Sequence, residues 1–132
     1  MLAKTNAQFA IEFTFLIAFM FIVFLGFTAV LTSKILDAKE DERQQIAEDI
    51  ASLAKNEIVL AQSVTDGYNR SFVLPNKVNG NAYEVQILGN REIVVRYLDK
   101  EYAAFLQGNV IGSLTAGKNS LIKKGGVVYI NS

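Results

Sequence analysis

The sequence predicts an α+β fold, a long N-terminal helix followed by a small antiparallel β-sheet. Three observations lead to it. An apolar stretch, broken by one charge, runs from Phe9 to Leu31; no proline and no glycine follows until Gly67; and beyond Thr65, Asp66 and Gly67 the apolar spacing changes from helical to alternating.

The helix comes first. Phe13 to Leu31 gives 19 residues without a charge, about 28 Å at the standard rise and close to the hydrocarbon thickness of a bilayer. Lys4 precedes the run with no acid to offset it, whereas Asp37 and Glu40 to Glu42 follow it. By the positive-inside rule the N-terminus stays in the cytoplasm and the bulk of the chain lies outside. A secretory signal peptide has a shorter apolar core and a small-x-small cleavage motif at its far end. Here Thr32, Ser33, Lys34, Ile35 and Leu36 continue into helical sequence instead.

Seven phenylalanines, Phe9, Phe13, Phe15, Phe19, Phe21, Phe24 and Phe27, are spaced around every side of this helix. That suits lipid, and then identical neighbours in a packed bundle, where each buried aromatic contributes about 1.5–3 kcal/mol. A plain membrane anchor accounts for the phenylalanines equally well. It does not account for Glu12, since even mild insertion scales charge about 2.5–3.5 kcal/mol for an ionised group at the centre of a span.

Ile46, Ile50, Leu53 and Leu60 then recur as an amphipathic stripe, flanked by Ala38, Ala47, Ala51, Ala54 and Ala61. One helix from Phe9 to Gln62 follows, about 80 Å long. Gly26 is its only interior glycine. The expected strands are Asn69 to Leu74, stopped by Pro75; Ala82 to Leu88 and Glu92 to Leu98, joined across Gly89, Asn90 and Arg91; Tyr102 to Leu106, pairing back across Asp99 and Lys100; and Ser120 to Lys123 with Val127 to Ile130, turning at Gly125 and Gly126. Without a cysteine the sheet has no disulfide frame, and its apolar face needs the stripe of Ile46, Ile50 and Leu53 as cover.

Composition narrows the chemistry. With no histidine and no cysteine, the commonest metal ligands and general base are missing, and no catalytic site, metal or cofactor is expected. Thirteen basic residues balance thirteen acidic ones, leaving no net field to draw in nucleic acid. The distribution is uneven. Thr32 to Asp66 holds four basic residues (Lys34, Lys39, Arg43, Lys55) and eight acidic (Asp37, Glu40, Asp41, Glu42, Glu48, Asp49, Glu57, Asp66), whereas Gly67 onward holds eight basic and four acidic. The basic end of one copy could then dock on the acidic middle of another.

The start of the chain, a short basic leader and then Gln8-Phe9-Ala10-Ile11-Glu12-Phe13 opening a long apolar helix, resembles the type IV pilins, most closely those of archaea. The resemblance to motifs covers the first 30 or so residues; the architecture it implies covers the whole chain. It implies a leader over residues 1–7, removed by a prepilin peptidase between Ala7 and Gln8; a transmembrane and filament-core helix over 8–31; its amphipathic continuation over 32–63; and a β head over 64–132. Cutting before Phe9 would put Phe13 where the family has its glutamate, so the glutamine-first register is the one that fits.

The resemblance also implies a function. Cleavage creates an α-amine at Gln8, and Glu12 of an adjacent subunit can pair with it, fixing axial register. The chain would be a structural subunit of an extracellular filament for adhesion or cell contact, a homopolymer that is a membrane protein before assembly and depends on pilus assembly machinery. The alternative is a non-polymerising minor pilin or pseudopilin of a secretion or pilus system. Asn69-Arg70-Ser71 is an N-glycosylation sequon, and the implied extracellular topology makes Asn69 a candidate glycan site.

Overall fold

Leu2–Ser63 form one helix, α1, in the computed structural model, which describes residues 2–132 and side chains from Lys4 onward. The helix begins at Leu2 rather than Phe9, because neither proline nor glycine interrupts Leu2 to Gln8. Of the leader expected over residues 1–7, Met1 lies outside the described residues and Leu2 to Ala7 are helical. The chain divides into two compact units, Met1–Lys39 and Glu40–Ser132.

The first unit is α1 alone, and its side chains from Lys4 to Lys39 are all exposed. This stretch is long and apolar enough to cross a membrane, as an anchor or export signal would be.

In the second unit, seven strands share an apolar cluster with α1. They are β1 (Asn69–Leu74), β2 (Tyr83–Leu88), β3 (Glu92–Tyr97), β4 (Lys100–Phe105), β5 (Val110–Gly112), β6 (Gly117–Lys124) and β7 (Val127–Ile130). The α+β class holds, but the single sheet expected from sequence is two. One has the order β1-β6-β7-β5 and the other β2-β3-β4. Nor is the head wholly antiparallel, since β5 runs parallel to β7. At three residues, β5 is too short to show an alternating pattern, which is why the sequence did not reveal it.

The turns follow their residues. Gly125 and Gly126 both take positive φ between Lys124 and Val127, the backbone that a two-residue hairpin of matching twist requires. Gly89 and Asn90 also take positive φ, but in a three-residue loop completed by Arg91, since Leu88 pairs with Glu92. The turn from β3 to β4 is tighter than expected. Tyr97 pairs directly with Lys100, so β4 starts at Lys100 rather than Tyr102, with Leu98 in the left-handed region. Gly112, at φ 113°, brings β5 so close to β7 that a Cβ there would run into the Ile130 carbonyl.

The helix face covering the sheets also differs from the expected stripe. Ala47, Ile50, Ala51, Ala54, Ile58 and Ala61 are each 4% exposed or less, whereas Leu53 and Leu60 are 43% and 42% exposed and Ala38 is exposed. Successive helical residues turn by about 100°, so Leu53 sits well round the helix from Ala54. Ile50 and Ile58 supply the bulk of this face among its small alanines, and the face shares one apolar cluster with Phe72 and Leu74 of β1, Ile93 and Val95 of β3, and Leu121 of β6.

Candidate assembly surface

Among the described residues, the side chains of the apolar half of α1 are exposed on every side. Phe9, Phe13, Phe15, Phe19, Phe21, Phe24 and Phe27 are each between 61% and 72% exposed. They point to every side because their spacing never settles into a single stripe. The polar groups among them are satisfied locally. Thr14, Thr28 and Thr32 donate their hydroxyls to the carbonyls of Ala10, Phe24 and Thr28 at 2.8–2.9 Å, so none of the three needs water to complete a hydrogen bond.

Glu12 is different. The Gln8 side-chain amide donates to its Oε1 at 3.2 Å, one turn earlier on the same helix. A neutral amide orients the carboxylate but cannot cancel its charge. The structure thus brings together Gln8 and Glu12, and places the Ala7–Gln8 bond within α1. Gly26 faces open space, with nothing within 4 Å of a Cβ built there.

Asn69 lies in the second unit, as the exposed first residue of β1, opposite Ile122 of β6. Ser71, the third residue of the sequon, is exposed too. The acceptor is thus reachable on one side of a paired strand.

The head carries polar devices that sequence reading did not pick out. Lys123 points inward on β6 and donates to the carbonyls of Gln62 and Val64 at the end of α1, at 2.6 Å each. Its signal was present, a lysine at the inward position between Leu121 and the glycine turn. Asn119, fully buried, accepts from Thr115 N at 2.9 Å and Asn131 Nδ2 at 2.8 Å, and donates to the carbonyls of Thr115 and Gly117. Asn131 in turn accepts from Ser120 N. The network anchors the end of β7 to β6 and the loop before it, and no spacing rule encodes it.

Ion pairs join Arg43 to Asp99 and Arg70 to Glu57, at 3.1 and 3.0 Å. Asp99 is held below the ordinary carboxylate range by a hydrogen bond within its own turn backbone and by the Arg43 guanidinium. On the three-stranded sheet Arg96 lies between Glu84 and Glu101. Among the described residues no group of three or more histidine, cysteine, aspartate or glutamate side chains could hold a metal ion. A depression of about 490 Å³ in the head, between the end of α1, Gln107–Asn109 and Gly126–Val127, is lined by no titratable side chain. No protein-family model, curated protein or solved structure matches the chain.

Proposed function

We propose that this chain is a structural subunit of an archaeal type IV pilus-like extracellular filament. The first half of α1 holds the precursor in the membrane and then packs against copies of itself as the filament core. The observation that carries this reading is one helix with two fates. One face of residues 47–61, formed by Ala47, Ile50, Ala51, Ala54, Ile58 and Ala61, is sealed beneath the head's sheets, while seven phenylalanines of the same helix remain exposed. Left in water, each such side chain forgoes about 1.5–3 kcal/mol of burial, so this half requires lipid or other apolar helices.

Lipid alone leaves Glu12 without a cation. Removal of residues 1–7 by a prepilin peptidase would give Gln8 a free α-amine, and the Glu12 carboxylate of a neighbouring copy would be its partner. A buried pair of this kind adds little net stability, but a mismatched register strands a charge at a cost of several kcal/mol. Glu12 is in this reading a register lock, and adhesion or cell contact is the task of the assembled fibre.

Shearing the surface of producing cells, followed by electron microscopy and N-terminal sequencing, tests the proposal. An abundant fibre whose subunits begin at Gln8 is the expected result. A membrane-bound protein still beginning at Met1, with no fibre, would overturn it in favour of a non-polymerising minor pilin or pseudopilin.

A further inference from the structure

We infer that the outer face of the four-stranded sheet is a docking surface for a second copy of this chain, which meets it with the acidic stretch of α1 at residues 40–49. The inference rests on the filament reading and adds the contact between heads.

Alternation decides which side chains face out. In β1, β6 and β7 the residues Phe72, Leu74, Leu121, Val128 and Ile130 turn inward and are buried with α1. Their neighbours turn outward, and the register aligns them across the strands. Ile122 lies opposite Tyr129, and Tyr129 opposite Ile111; Val73 lies opposite Lys118, and Lys124 opposite Val127. By the same alternation Asn69 lies opposite Ile122 and Ser71 opposite Ser120, so the outward face mixes the apolar Val73, Ile111, Ile122, Val127 and Tyr129 with Lys118, Lys124, Asn69, Ser71 and Ser120, and it holds no acidic residue. Val73 is 67% exposed and Ile111 46%. The solvated face of a sheet normally reads polar at its outward positions, whereas here Val73 and the row of Ile122, Tyr129 and Ile111 interrupt that pattern.

Its complement lies on the same chain but is not used there. Glu40, Asp41 and Glu48 make no ion pair among the described residues, and the Asp49 carboxylate receives only the Gln45 amide, at 2.8 Å. Lys118 and Lys124 likewise make no ion pair among the described residues. The inner face of the sheet is already occupied by the chain's own α1, so the helix that covers the outer face comes from another copy. Sheet on helix is a heterologous contact. Repeated from copy to copy, such a contact extends to an open helical assembly wherever its rotation does not close into a ring, as the filament reading requires, and opposite charges at its rim set register and exclude wrong partners.

Carbodiimide cross-linking of sheared filaments tests this, because the reagent joins a lysine amine only to a carboxylate in contact with it. Dimer bands digested for mass spectrometry should contain peptides linking Lys118 or Lys124 to Glu40, Asp41, Glu48 or Asp49. The Lys118→Glu, Lys124→Glu double variant should reduce filament number about tenfold, and adding Asp41→Lys and Glu48→Lys should restore it. Unchanged thermal melting of the double variant shows that its head is folded.

Filaments whose dimer bands lack these peptides, or that form in undiminished number with both lysines reversed, overturn the inference while leaving the filament reading intact. So does a glycan on Asn69 that leaves both lysines unlinked in assembled fibres. If the wild-type chain forms no filament, the filament reading fails separately. Cross-linking of the detergent-solubilised full chain then decides the contact by the same peptides, their absence overturning it.

Discussion

Lys123 closes the C-terminal end of α1 across 61 residues of sequence, its Nζ donating to the Gln62 carbonyl at 2.6 Å and equally to that of Val64. The last turn of a helix leaves carbonyls unsatisfied and carries partial negative charge. This helix has no basic residue of its own there. The cation is supplied from β6, and the backbone reinforces it, Gly67 N donating to the Lys123 carbonyl and Lys123 N to that of Tyr68, each at 2.9 Å. One residue thus joins the helix exit to the sheet.

Lys123→Ala should destabilise the head by about 1.5–3 kcal/mol, the range for hydrogen bonds to a charged group. Lys123→Met, which keeps the apolar stem, should recover only the packing part. All five tyrosines lie between residues 68 and 129, so tyrosine fluorescence during urea unfolding of the detergent-solubilised chain reports the head alone. An unchanged midpoint in Lys123→Ala would show that the cap is ornamental.

Gly112 and Gly125 make opposite cases of the same conformational rule. Both have positive φ, but a Cβ on Gly112 meets the Ile130 carbonyl carbon and oxygen, whereas one on Gly125 meets nothing within 4 Å. Gly125→Ala should cost about 1–2 kcal/mol, the left-handed penalty alone. Gly112→Ala should cost more than about 4 kcal/mol, since it separates β5 from β7. Protease resistance of the expressed chain ranks them, and equal resistance of the two variants would refute the close approach.

Tyr83 sets an alkaline limit. Its hydroxyl donates to the Pro75 carbonyl, and burial raises its pKa above the ordinary 10.0. The folded state therefore holds the phenolic proton more tightly than the unfolded chain. Its contribution is complete below pH 10.0 and is lost as pH rises through the raised value. Tyr83→Phe should lower stability by about 0.5–1.5 kcal/mol at neutral pH and shrink the alkaline fall of the urea midpoint. A variant with the same alkaline slope as the wild type would assign that slope to other groups.

What was legible in the sequence follows from how local each signal is. Helix α1 needed only a stretch without proline and with Gly26 as its single interior glycine, and the hairpin at Gly125 and Gly126 needed only its own residues, so the hairpin and all of the helix but its first turns were readable. The buried helix face was misread because leucine looks more like core than alanine does. Burial depends on which side of the helix the sheets cover, and Ala47, Ala51 and Ala54 lie on that side while Leu53 does not. The parallel pairing of β5 with β7, the Asn119 hub and the Lys123 cap all join distant segments through geometry that no local period encodes. For the candidate site, Glu12 stood out as a lone charge in an apolar run, whereas the outward row of Ile122, Tyr129 and Ile111 required the register.

Asn69 is exposed at the start of β1, and a glycan there would be reachable by a transferase acting on the exported chain. An intact mass of purified filament protein above the sequence mass, with the excess lost in Asn69→Gln, would show the sequon occupied and, because Asn69 shares the outward face with Ile122, would exclude a docked copy there. A wild-type mass equal to that of the bare polypeptide would show the sequon to be unused.

Glu12→Gln is the sharpest test of the filament core because it changes charge with little change of shape. In the full chain the Gln8 amide already reaches the Glu12 carboxylate at 3.2 Å, and a glutamine at position 12 can keep that contact through its own carbonyl oxygen. Membrane insertion of the precursor should therefore be preserved or improved, since a charge worth about 2.5–3.5 kcal/mol on insertion scales is gone. Assembly should respond in the opposite direction. The new α-amine of Gln8 would enter an apolar core without a counter-charge, and breaking one side of a buried pair costs about 3–5 kcal/mol, enough to cut filament number by more than about a hundredfold if it falls on each added subunit. Counting fibres by electron microscopy beside the amount of membrane-bound precursor separates the two effects. Precursor present with fibres absent is the expected outcome, and normal numbers of normal fibres in Glu12→Gln would remove the register lock from the account.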